Sequence, residues 1–177
     1  EVARQLQMPI GEIPSDWYHF GEILKSKPGN VLEEEFPDLP TGVLPVFHCT
    51  EEIPCDPCST LCPQDLIFID KQDIRSTPKF VADHYACKAC LKCIAGCPGL
   101  AITLVDYRSN PEKPIVSIPY EFSRDSIQTG DQITIEDTNG AELGSVSVLA
   151  VRALKAHDRT IVVQVEADNE LAPRIAG

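Results

Sequence analysis

The chain has 177 residues, 27 acidic and 15 basic side chains and a formal net charge of −12 at pH 7, enough for one ordinary domain or two small ones. That charge excludes a nucleic-acid binder, which needs a basic stripe for phosphates; it suits solubility and electrostatic steering of a partner alike. No apolar run approaches the roughly 20 residues of a membrane span, and Glu1-Val2-Ala3-Arg4-Gln5 lacks the basic start and apolar centre of a secretory signal.

Residues 1–45 are rich in proline and acidic residues. Pro9, Pro14, Pro28, Pro37, Pro40 and Pro45 break any long helix, so the segment reads as an extended arm with short helical pieces at 15–26 and 31–36. Its aromatic knot, Trp17-Tyr18-His19-Phe20, has the composition of an anchor, onto this chain or another.

Residues 46–110 contain all eight cysteines. Cys87, Cys90, Cys93, Cys97 and Pro98 spell C-x2-C-x2-C-x3-C-P, and Cys49, Cys55, Cys58, Cys62 and Pro63 form a stretched second copy. Three thiolates at short spacing wrap a [4Fe–4S] cube from one loop, while the fourth leaves the loop after a longer gap. Pro63 and Pro98 turn the chain after that last cysteine. Cys62-Pro63-Gln64-Asp65-Leu66-Ile67 aligns without a gap on Cys97-Pro98-Gly99-Leu100-Ala101-Ile102, an internal repeat of loop plus strand that predicts strands at Ile67–Ile69 and Ile102–Val105. A strand, a turn and a connection ending at Pro78 are expected across Asp65–Phe80. Disulfides would require an oxidising compartment and a denser framework. Zinc more often uses paired C-x2-C knuckles than a triple followed by C-P.

Over about residues 46–108 the chain resembles bacterial two-cluster ferredoxins. The resemblance implies two [4Fe–4S] clusters with crossed ligation: Cys49, Cys55, Cys58 and Cys97 on cluster 1, and Cys87, Cys90, Cys93 and Cys62 on cluster 2. The sequence departs from the family in its first run, where Thr50-Glu51-Glu52-Ile53-Pro54 replaces a two-residue spacer. Cys49 either ligates from a longer loop, or cluster 1 is three-iron or takes another ligand such as His48.

Pro111-Glu112-Lys113-Pro114 reads as a linker. Beyond it, 115–177 has no cysteine and predicts short strands at Ile115–Phe122, Gln132–Asp137, Leu143–Val151 and Thr160–Val165. Asn139-Gly140 is a hairpin signal, Gly130-Asp131 a turn, and Asn169–Ile175 a helical turn. The expected fold class is therefore α+β: a ferredoxin-like two-cluster iron–sulfur domain with an extended N-terminal arm and a small C-terminal antiparallel β-barrel.

No dinucleotide fingerprint, Walker loop, zinc-protease helix or nucleophile elbow is present, and His19, His48, His84 and His157 form no base–nucleophile pair with a serine. No catalytic residue for an organic substrate is assigned. His48 and His84, beside cysteines, are loop histidines or donors to cluster sulfur. Glu51, Glu52 and Asp56 lie in the first loop, Lys88 and Lys92 in the second, so cluster 2 is expected to have the higher potential. Ile118-Pro119-Tyr120-Glu121-Phe122, the Gly130-Asp131 turn and the Cys97–Ile102 segment are similar to ferredoxin-like parts associated with FAD-dependent, pyridine-nucleotide-disulfide-type oxidoreductases. That similarity implies a cytoplasmic relay between an acceptor and a larger flavin- or Mo/W-containing subunit, with FAD on the partner chain. A freestanding ferredoxin with docking modules and a zinc-stapled structural protein are the other readings.

Overall fold

The computed structural model describes residues 42–73, 75–81, 86–121, 126–153 and 160–177. The expected arm helices and the aromatic knot, with His19, His84 and His157, lie outside the described residues. The described chain is mostly antiparallel sheet with few, short helices, in line with an α+β class. None of its helices is long and apolar enough to cross a membrane.

Among the described residues six strands form the main sheet in the order β1-β4-β5-β8-β7-β6, every pair antiparallel. They are β1 (Val43–Phe47), β4 (Ile102–Asp106), β5 (Ile115–Tyr120), β6 (Gln132–Glu136), β7 (Glu142–Ala153) and β8 (Ile161–Glu166). A separate two-stranded ribbon pairs β2 (Ile67–Phe68) with β3 (Lys79–Phe80). The helices α1 (Pro57–Leu61) and α2 (Lys92–Ala95) pack against each other.

The sheet crosses the boundaries drawn from sequence. β1 begins inside the proline-rich arm, and β4 pairs with β5 across the 111–114 segment. Two prolines lie inside these strands. Pro45 is tolerated because β1 is an edge strand in this sheet, where a missing N–H need cost no ladder bond. Pro119 sits beyond the last β4–β5 pair, Leu104↔Ser117, so β5 has only the β8 ladder beside it there.

The β6–β7 hairpin turns at Asn139-Gly140 as expected. One carboxylate oxygen of Asp137 accepts the N–H groups of Asn139 and Ala141, at 2.8 and 3.0 Å, and Gly140 takes the left-handed φ of 74°. β7 gives its first half to β6 and its second half to β8. A bulge between Val148 and Ala150, inside the half paired with β8, leaves Leu149 exposed.

Two cores share this sheet. On one face Val105, Val116, Ile118, Ile135, Val148, Ile161, Val163 and Val165 pack together. On the other, Val43, Ile102, Leu104 and Val162 pack with Cys58, Cys93, Cys97 and Ile94. β4 and β8 contribute alternate side chains to each, the period of two expected of strands covered on both faces. A 3₁₀ turn, Ala172–Arg174, brings the C-terminal tail back across the molecule. Glu136 and Gly177 exchange backbone bonds, while the Ile175 carbonyl accepts the Thr103 hydroxyl on β4.

Tyr107 follows β4 into the first core, 1% exposed, and its hydroxyl has no hydrogen-bond partner. Burial drives its pKa well above the ordinary phenol value. Tyr107→Phe removes the orphan oxygen while keeping the ring, and is expected to stabilise the fold by about 1 kcal/mol. Urea unfolding of the two proteins checks this; a loss of stability would show that the hydroxyl has a role in the fold.

Candidate metal centre

The structure describes all eight cysteines as free thiols, three buried and five half-buried, carried by the two short helices and the loops on either side of them. Cys58 and Cys93 occupy the same place, the second residue of α1 and of α2. After each helix the chain makes the same turn. Asp65 N–H bonds to the Cys62 carbonyl and Leu66 N–H reaches the Cys62 sulfur; Leu100 N–H and Ala101 N–H do likewise at Cys97. The distances agree, 3.2 Å to oxygen and 3.4 Å to sulfur in both copies. Asp65 and Leu100 share a left-handed backbone, with φ of 53° and 51°. The repeat read from Cys62–Ile67 and Cys97–Ile102 is thus a repeat of backbone geometry.

Ala89 and Leu91 are left-handed too, so all four described non-glycine residues with positive φ lie in the cysteine region. Each costs on the order of 1 kcal/mol relative to a glycine there. The strained turns aim N–H groups at sulfur: besides Leu66 and Ala101, the Ala89, Ser59 and Ile94 amides lower the pKa of Cys87, Cys58 and Cys93 respectively.

The thiols interact electrostatically in two sets. Burial pushes Cys49 up to about 11, and Cys97 and Cys55 add to the rise. Burial pushes Cys58 up to about 12, with Cys49, Cys97 and Cys55 adding to it, and Cys55 is raised by burial and then by Cys97. In the second set burial pushes Cys93 up to about 12, and Cys87, Cys90 and Cys62 add to it; Cys87 is raised by burial and by Cys90 and Cys62. No coupling between the sets accompanies these shifts. Cys97, from the second run, therefore stands with the first three cysteines, and Cys62 with the later three.

Geometry explains Cys49. The β1–β4 ladder continues one step past Phe47↔Ile102, with His48 N–H bonded to the Ala101 carbonyl at 2.8 Å. That same carbonyl lies 4.0 Å from the Cys49 sulfur, and the Ala101 amide bonds to Cys97 sulfur. The long insert at 50–54 is exposed and does not set the position of Cys49; the strand does. Sequence reasoning missed this because Pro45 hid the strand, although Val43-Leu44 and Val46-Phe47 were its signal.

The second set lines a pocket containing about 330 Å³ of empty space, part of it open to solvent. Cys62, Cys87, Cys90 and Cys93 face it, and Leu66, Ile67, Phe80, Leu91 and Leu104 form apolar walls. Among the described residues, no group of three or more His, Cys, Asp or Glu side chains is disposed to hold one metal ion. The donors do suit a larger soft inorganic body, with four thiols around it and amides turned towards sulfur. Arg108 stands near Cys87, whose pKa it lowers, and is itself held by the Asp106 carboxylate at the end of β4.

His48 is buried, and its Nε2 lies 3.0 Å from the Thr103 hydroxyl oxygen. Since that hydroxyl donates to the Ile175 carbonyl, Nε2–H is the donor to Thr103 and Nδ1 is bare, without a partner. Comparison of the chain with protein-family models, with curated proteins and with solved structures finds no match.

Burial lowers the His48 pKa from 6.5 to about 4, with the Ile175 carbonyl offsetting part of the effect. Between those values the unfolded chain binds a proton that the folded chain refuses. Stability from this group is full above pH 6.5 and is lost as pH falls towards 4, by up to on the order of 3 kcal/mol. His48→Gln is expected to flatten that slope in urea unfolding between pH 7 and pH 4.5. An unchanged slope would assign it to other groups.

Proposed function

We propose that the chain is an electron-relay subunit or domain of a larger cytoplasmic redox complex, carrying two [4Fe–4S] clusters. In this reading it passes single electrons between an acceptor and a partner subunit that bears FAD or Mo/W. The observation that supports it best is the crossed placement of thiols: Cys62 lines one pocket with Cys87, Cys90 and Cys93, while Cys97 accepts the amide of Ala101, whose carbonyl faces the Cys49 sulfur. Two consecutive structural zinc knuckles have no need of such an exchange.

A cubane held by each set supplies reversible one-electron storage. The protein's share is to hold and tune it. Leu66 and Ala101 amides donate to the two exchanged cysteines, which favours the more negative, reduced charge state. Apolar side chains from β1, β4 and β8 exclude water from the inner side. On this reading residues 46–110 are a ferredoxin-like module, and its strand β4 joins the strands of 115–177 in one sheet, where the small barrel expected from sequence would have stood apart. Lys88 and Lys92 beside the second set, against Glu51, Glu52 and Asp56 near the first, favour a higher potential at the second cluster.

Anaerobically prepared protein is expected to contain about eight iron and eight sulfide per chain, with coupled S = ½ signals after dithionite reduction. Cys97→Ser should damage the cluster of Cys49, Cys55 and Cys58, although Cys97 belongs to the other run. About four iron in the unsubstituted protein would remove one cluster from the proposal, and zinc in place of iron would overturn it. Copurification with a large flavin- or Mo/W-bearing subunit distinguishes a relay from a freestanding ferredoxin, which would run alone.

A further inference from the structure

His48 and Cys49 are neighbours in sequence whose side chains leave β1 on opposite faces of the sheet. Along β1, Leu44 and Val46 pack on the large-sheet core, whereas Val43 and Phe47 pack with the cysteines. The ladder runs on through the 2.8 Å bond from His48 N–H to the Ala101 carbonyl, so the alternation puts the His48 ring on the large-sheet side. Its hydrogen-bond partners agree. Thr103 sits between Ile102 and Leu104, which face the cysteines, and Ile175 belongs to the large-sheet core. The ring is 7% exposed, and its bare Nδ1 is buried without a partner.

One run of hydrogen bonds joins the two faces. The Ile175 carbonyl accepts the Thr103 hydroxyl at 3.3 Å, and the Thr103 oxygen accepts His48 Nε2–H at 3.0 Å. The Ala101 carbonyl, which accepts His48 N–H, lies 4.0 Å from the Cys49 sulfur, and the Ala101 amide donates to the Cys97 sulfur at 3.4 Å. The tail that starts this run is itself held at Glu136, which bonds to Ala176 and Gly177. On the other side of Cys49 the insert at 50–54 is exposed throughout, so Cys49 is restrained from the strand side.

We propose that His48 is a positioning residue for the first thiol set and not a ligand in it: its ring, moored to the C-terminal tail through Thr103, holds the end of β1 so that Cys49 stands beside Cys97. The inference rests on the relay reading for the cluster that Cys49 would help to hold, and it removes the histidine alternative for that cluster's fourth ligand. A buried hydrogen bond cut on one side strands its partner, which costs more than the bond itself contributes. Here that cost falls on the segment that carries Cys49.

The test is differential alkylation of the full chain as isolated anaerobically. Iodoacetamide forms a sulfur–carbon bond to each accessible thiolate and loses iodide, and mass spectrometry reads the rate at each cysteine. Wild-type Cys49 should react far more slowly than in the urea-unfolded chain. His48→Ala and Thr103→Val should each speed Cys49 by about tenfold relative to Cys87, because local opening follows the loss of a buried hydrogen bond. His48→Gln, whose amide can place an N–H where Nε2–H stands, should restore the wild-type ratio. Iron loss to a chelator should follow the same order.

Wild-type Cys49 that alkylates as fast folded as unfolded, in protein with full iron, overturns the proposal and needs no variant to fold. Equal iron loss in His48→Gln and His48→Ala would refute positioning in favour of ligation. A faster reaction at all eight cysteines alike would reveal general destabilisation and refute it too. An unmoved Cys49 in Thr103→Val strikes out the part played by the tail. Iron and sulfide are measured on every sample: protein without clusters refutes the relay reading, while the ratio of Cys49 to Cys87 still decides the role of His48.

Discussion

Strand β4 is the constraint on which the rest of the structure depends. From Ile102 to Val105 every side chain is buried, and successive residues face different cores. Ile102 and Leu104 press on the cysteine helices, while Val105 belongs to the core of the large sheet. A strand buried on both faces has a strictly specified register, since a slip of one residue would exchange its two sets of side chains. The same strand fixes Cys49 through the ladder to β1 and starts directly after the turn that holds Cys97. Thiol positions and sheet register are therefore set by one segment. The backbone bond from His48 to Ala101 and the side-chain chain His48–Thr103–Ile175 tie that segment to the C-terminal tail as well.

The cysteine loops are built at a local loss. Four of the described non-glycine residues sit in the left-handed region, and the thiols of Cys49, Cys58 and Cys93 are driven towards their neutral form by burial. Neither feature helps a bare polypeptide. Both make sense where sulfurs must be presented at fixed places with amides facing them. The duplicated turn at Cys62 and Cys97 has the same hydrogen bonds and the same φ in both copies, so the strain is a repeated design and not an accident of one loop.

Much of this was legible in the sequence because it rests on local chemistry. The strands in 115–177 follow from β-branched alternation, and the Asn139-Gly140 turn from the few residues that accept a left-handed backbone. The C-P repeat announced two equivalent turns. What local chemistry does not encode is the pairing of distant segments. Nothing near Val43 reveals that it pairs with Asp106, and Pro45 argues against a strand until the segment is known to be an edge. The 111–114 segment has the composition of a boundary, yet the strands on either side of it are neighbours. Period-two reading also fails along β7, where Val146 and Val148 are followed on the core face by Val151. The interval is three, and only the bulge accounts for it.

That bulge shifts the pairing register and adds local twist. One strand serves two neighbours, β6 and β8, and the extra residue at Leu149 falls just inside the part paired with β8, where a bulge increases the local twist. Removing Leu149 would leave Val148 and Val151 in simple alternation, with every partner residue still available. The pattern of apolar residues would improve while the local twist that a bulge adds was lost. Position 149 is thus a place where a sequence more regular than this one would specify a less twisted sheet.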